Sequence, residues 1–230
     1  MRAIRLQNAA DATPNVGNPA WSRVLIVEGT SGVGKSTLID QLIRRYVAGQ
    51  PARKLRTILH LTQAHTYGPL APAEDLGALT AEQNLEHLDD VVSMIEWHVS
   101  ALTHESKVKF LAVVDTLHLT QCHRPGVLAW EHVSHLDRRL ARLGAKLLFL
   151  HATSQTIWER GILPRREEEF MTGYACPRFG ATLEEIHHYF VAEQERMRRL
   201  LANTAMRYRE MDADEALETN VGEACKFWLA

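Results

Sequence analysis

The sequence predicts an α/β fold, a parallel sheet of about five strands with helices on both faces. Three observations point there. Short runs of Val, Ile, Leu and Phe alternate with longer segments of helical apolar spacing. The runs are apolar on consecutive residues, as strands covered on both faces must be. The segments between them are long enough for the right-handed crossovers that parallel pairing requires.

The first strand is Val24-Leu25-Ile26-Val27, ending in Glu28-Gly29. A glycine-rich turn then leads to a helix over 36–48, with Leu38, Leu42 and Ile43 on one face. Residues 57–62 form a second strand, and 63–79, with Gly68, Pro69, Pro72 and Gly77, read as a loop. Thr80 and Gln83 have capping-box spacing and open a helix running to residue 104. Its stripe of Leu85, Leu88, Val92, Ile95, Val99 and Leu102 either packs on its own domain or forms the seam of a homodimer through residues 81–104. Phe110 to Asp115 is a third strand, apolar until the acid at its end. Val133, Leu136, Leu140 and Leu143 mark a helix stopped by Gly144. Residues 146–151 are a fourth strand. Ser154 caps a short helix to Arg160, and Thr182 with Glu185 caps a longer one to Asn203. A short strand over 208–211 and a helix from Asn220 close the chain. Residues 1–20 read as a flexible leader and 21–230 as a single domain.

The composition narrows the function classes. With 230 residues, 46% of them hydrophobic and 23% charged, the chain is an ordinary globule and not a disordered one. No apolar run approaches the ~20 residues that span a bilayer. A formal net charge of -2 argues against a nucleic-acid polymer as partner. Cys122, Cys176 and Cys225 are sparse and lack CxxC spacing, which suits a reducing, cytoplasmic setting. His118, Cys122 and His123 lie close together, with His132 and His135 nearby, but match no standard zinc spacing.

After the first strand the chain reads Gly29-Thr30-Ser31-Gly32-Val33-Gly34-Lys35-Ser36-Thr37. This is GxxxxGK[ST] between a strand and a helix, the phosphate-binding loop of the P-loop NTPase fold. The glycines let backbone N–H groups converge, and the helix beginning beside Ser36 aims its positive end at the same point. Lys35 supplies a compact cation for the β- and γ-phosphates of a nucleoside triphosphate such as ATP. Ser36 offers its hydroxyl to Mg²⁺, and Thr37 follows it on the helix. A guanine-reading NKxD motif is absent. Asp115 is followed by Thr116 and not by a water-polarising Glu, which favours transfer to a bound acceptor over hydrolysis.

These residues resemble the P-loop nucleoside and nucleotide kinases, in particular the thymidylate kinase and deoxynucleoside kinase group. The resemblance rests on the EGxxxxGKST form of residues 28–37, on Asp115, on Trp158 to Arg166, and on the helix from Thr182. It implies that 158–180 form a small arginine-bearing lid, with Arg160, Arg165 and Arg166 placing positive charge on the transferred phosphoryl group. It also implies that Glu28 is the general base and Asp115 a magnesium ligand; the sequence equally allows the reverse, with Asp115 as base and Glu28 a metal-shell or structural group. The chain departs from the group twice. Thr116 stands where DR or ER patterns place Arg, and residues 61–69 hold no Arg for a substrate phosphate.

An acceptor lying beyond the second and third strands would meet Gln63, His65, Tyr67, His118 and Gln121, with Trp97 a further wall. Gln and Tyr suit a neutral polar ligand. The expected function is an ATP- and magnesium-dependent phosphotransferase acting on a small hydroxyl- or phosphate-bearing acceptor, a nucleoside or nucleotide first. A kinase for another metabolite or an antibiotic is one alternative. A nucleotide-binding switch or scaffold without transfer activity is another.

Overall fold

The structure, a computed structural model, describes residues 22–49, 56–66, 80–103, 109–122, 128–165 and 179–230. The leader, Tyr67, Arg166 and most of the expected lid lie outside them. The strands are β1 (Ser22–Glu28), β2 (Arg56–Leu61), β3 (Lys109–Asp115), β4 (Lys146–His151) and β5 (Arg207–Asp212). They form one 5-stranded sheet in the order β2-β3-β1-β4-β5. Every pairing is parallel, so each connection crosses over a face of the sheet. The helices are α1 (Lys35–Ala48), α2 (Gln63–Thr66), α3 (Ala81–Thr103), α4 (His118–Gln121), α5 (Trp130–Arg142), α6 (Ser154–Thr156), α7 (Leu183–Leu200) and α8 (Leu217–Leu229).

Strand alternation divides the core into two layers. Val24 and Ile26 of β1, with Phe110, Ala112 and Val114 of β3, face α3 and α5. Leu25 and Val27, with Leu111 and Val113, face α1, α7 and α8. Both sets are buried, which is why these strands are apolar on consecutive residues. Fully burying one such side chain contributes about 1.5–3 kcal/mol.

The α3 stripe belongs to the first layer. Leu88, Val92, Ile95 and Val99 are buried against the sheet and α5. These four residues of the stripe are therefore core, packed on their own domain. Trp97, on the other side of the helix, is 66% exposed.

Local signals hold where side chains or backbone must satisfy helix ends. Thr80 and Gln83 exchange hydrogen bonds at the start of α3, as do Thr182 and Glu185 at the start of α7. At the end of α5, Gly144 N–H donates to Ala141 O and Ala145 N–H to Leu140 O, a Schellman closure.

Because the α3 stripe is core, Ile95→Ala is expected to cost about 2–5 kcal/mol in urea unfolding. A loss below about 1 kcal/mol would show that α3 does not pack as described.

Candidate functional site

The C-terminal ends of β1 and β3 bring the chemistry together. Val27 pairs with Asp115, so the last residue of β3 lies beside the start of the glycine-rich loop. A Cβ on Gly29 (φ 146°) would come within 2.5 Å of the Leu150 carbonyl oxygen. Gly32 (φ 84°) packs on Gly161, whose N would lie 2.9 Å from a Cβ there. The loop is thus pressed between the end of β4 and a π-helical segment, Ile157–Ile162. Such segments occur frequently at functional sites.

α1 begins at Lys35, so the N–H groups of its first turn open toward the loop. The buried Lys35 Nζ donates to Gly29 O (2.7 Å) and Thr30 O (2.9 Å), folded back over the loop that carries it. Ser36 Oγ donates to Asp115 Oδ2 at 2.9 Å. The Ser36 hydroxyl and the Asp115 carboxylate are hard oxygen donors, which fit magnesium. Thr30 Oγ1 donates to the wholly buried Glu193 of α7. Next to it, Gln194 accepts from Ala152 N (2.9 Å) and donates to Ala152 O (3.0 Å). One helix therefore fastens both the phosphate loop and the exit from β4.

Thr116 has φ 69°, and among the described residues it is the non-glycine with positive φ. For a β-branched residue that conformation costs about 1–3 kcal/mol. Its N–H donates to Val27 O (2.9 Å), and its Oγ1 donates to Asp115 Oδ1 (3.1 Å) and accepts from Gln63 Nε2 (3.2 Å).

Glu28 is the residue that the resemblance implies as general base. It is 0% exposed. Its Oε1 accepts from Leu117 N (2.9 Å) and Leu119 N (3.0 Å), and its Oε2 from Thr120 Oγ1 (2.7 Å). The carboxylate is engaged by the start of α4, which corresponds to the structural alternative.

His118 is likewise enclosed, and does not line an acceptor pocket. Its Nε2 donates to Asp137 Oδ1 at 3.1 Å. Asp137 also accepts from Thr204 Oγ1 (2.6 Å) and Ala205 N (2.6 Å). Burial alone would raise the Asp137 carboxyl, but the hydrogen bonds from His118, Thr204 and Ala205 outweigh it and hold the group below its ordinary value. Burial pushes the Cys122 thiol up to about 12, with the Glu28 and Glu131 charges adding to the effect.

The remaining expected residues divide. Gln63 reaches Thr116, as above. His65 turns back on its own strand end, where Nδ1 accepts from Thr62 N (3.2 Å). Gln121 is buried, and its Oε1 accepts from Asn84 Nδ2 at 3.0 Å. Arg160 donates to Ala213 O (2.9 Å) and lines a cavity of about 300 Å³ with Gly34, Thr37, Ala213, Leu217 and Asn220. That wall after β5 was not singled out in the sequence, although it too follows a strand end. Ser31 and Val33 complete the loop, Val33 buried beneath it. The Arg165 side chain and Arg166 are outside the described residues.

No family model matches the chain, and no curated protein matches it in sequence. Solved structures do. The YorR protein from Bacillus subtilis, in complex with phosphorylated GDP, aligns with a TM-score of 0.53 at 15% identity over 89% of this chain and 94% of that chain. A gluconokinase from Sinorhizobium meliloti 1021 aligns with a TM-score of 0.47 at 17% identity over 90% of this chain and 91% of that chain. The chain has the P-loop NTPase fold. In this fold the cradle of residues 29–37 lies at the C-terminal edge of the parallel sheet, where ligands of open α/β sheets bind. No helix among the described residues is long and apolar enough to cross a membrane.

The Asp137 cluster has a definite pH signature. A carboxyl depressed in the folded state stabilises fully above its unfolded value, near 3.8, and loses that contribution as pH falls through the folded one. Asp137→Asn should therefore destabilise most at about pH 7 and progressively less toward about pH 3 in urea unfolding. An equal deficit at both would contradict an ionised Asp137.

Proposed function

We propose that the chain is a phosphotransferase that moves the γ-phosphoryl group of Mg-ATP to a small hydroxyl-bearing acceptor, with a nucleoside the first candidate. The observation that carries this reading is the meeting of Ser36 with Asp115 beside Lys35. The P-loop amides and the α1 N-terminus would hold the triphosphate, and Lys35 would leave its loop carbonyls for the phosphate oxygens. Ser36 and Asp115 would hold the magnesium ion, which neutralises charge on the β- and γ-phosphates. The cavity beside Gly34 and Arg160 is of a size for the nucleoside part of the donor.

With Glu28 engaged by α4, Asp115 is the carboxylate beside the loop that can take the acceptor's proton or hold the metal. Thr116 follows it, so no adjacent acid activates water, which supports transfer over hydrolysis. On the acceptor side, Gln63 carries an amide, which suits an uncharged polar molecule better than a phosphate dianion. The YorR protein, which shares the fold, was solved with phosphorylated GDP, and a nucleoside-containing ligand is in keeping with that neighbour. A cytoplasmic setting is part of the proposal.

Incubation of the chain with γ-labelled ATP, magnesium and a panel of nucleosides, nucleotides and sugars tests the reading. Label is expected on a neutral hydroxyl compound. Lys35→Ala should lower transfer by about 100-fold or more with its melting temperature unchanged. Near-normal turnover in that variant, or no labelled product across the panel, would refute the proposal.

A further inference from the structure

Thr116 combines two features that rarely coincide. Its backbone lies in the left-handed region at φ 69°, and the residue is 1% exposed with its N–H and hydroxyl both hydrogen-bonded. Glycine would take this backbone without strain, and a branched residue there is held by what surrounds it. The N–H bond to Val27 O secures the backbone, and the hydroxyl lies between Gln63 and Asp115.

The result is a continuous chain of hydrogen bonds. Gln63, on α2 after β2, donates to Thr116. Thr116 donates to Asp115 Oδ1, and Ser36 donates to Asp115 Oδ2. With one oxygen held from each side, the carboxylate cannot rotate. An alternative backbone at residue 116 would relieve the strain and carry the hydroxyl away from Oδ1.

We propose that Thr116 is a positioning residue: its strained backbone holds its hydroxyl between Gln63 and Asp115, so that Asp115 presents Oδ2 toward Ser36 and a bound magnesium ion, and the acceptor side of the site is mechanically joined to the metal side. The proposal rests on the nucleotide-binding reading above and adds a residue to it. The hydroxyl, not the branched shape, is the part that acts.

Calorimetric titration of the full chain with the β,γ-imido analogues of ATP and GTP, in magnesium and in EDTA, tests this. Magnesium should tighten analogue binding to the wild-type chain. Thr116→Val should reduce that tightening by about tenfold while binding in EDTA stays unchanged. Thr116→Ser, which keeps the hydroxyl, should restore the tightening. Thr116→Gly should lose it as Val does, yet melt at the same or a higher temperature because the strain is gone. Wild-type tightening retained in the Val or Gly variant, or lost equally in Ser, would overturn the role of Thr116 alone. Metal-independent binding by the wild-type chain would overturn it as well. Binding of neither analogue under any condition would remove the nucleotide reading itself, and the proposal with it.

Discussion

The pairing of Val27 with Asp115 across the β1–β3 ladder sets everything that follows at the C-terminal edge of the sheet. The side-chain period of a strand is two, so a slip of one residue would turn Asp115 to the other face and bury Val114 wrongly. The register is held because both faces of β1 and β3 are covered by apolar layers. It also delivers the Thr116 N–H to Val27 O, one residue beyond the last strand pair. The loop at 29–36 leaves β1 at that same point. The Asp115 carboxylate and the Ser36 hydroxyl meet there as a consequence of strand geometry.

The site is then held by charged and polar groups that lie within the protein. Glu28 fixes α4, Asp137 fixes His118 and the approach to β5, and Glu193 with Gln194 fixes the phosphate loop and the end of β4. Burying a carboxylate is unfavourable unless hydrogen bonds replace the lost water. Each of these groups has such partners, and each ties together segments far apart in the sequence. The cluster surrounds the strand ends and leaves the middles of β1, β3 and β4 apolar.

The fold was legible in the sequence where one element carries its own signal. The consecutive apolar residues of β1, β3 and β4, the two capping boxes and the glycine closing α5 are local features, and they appear as expected. The phosphate loop was legible for the same reason. The short helices α2 and α4 were not, since four residues carry no periodicity. Nor was the part played by Glu28, whose partners at Leu117 and Thr120 come from another strand end. Arg160 was read from its place in a lid, but the Ala213 carbonyl draws it to the wall after β5. Long-range hydrogen bonds decide these roles, and spacing along the chain does not record them.

The cradle itself can be examined without knowing the base or the acceptor. Inorganic tripolyphosphate with magnesium, titrated into the ¹⁵N-labelled chain, reports on each backbone amide by nuclear magnetic resonance. The largest shifts should fall on residues 30 to 37, where N–H groups converge on the anion. Shifts concentrated elsewhere on the surface, or none at saturating ligand, would contradict a phosphate site at the end of β1.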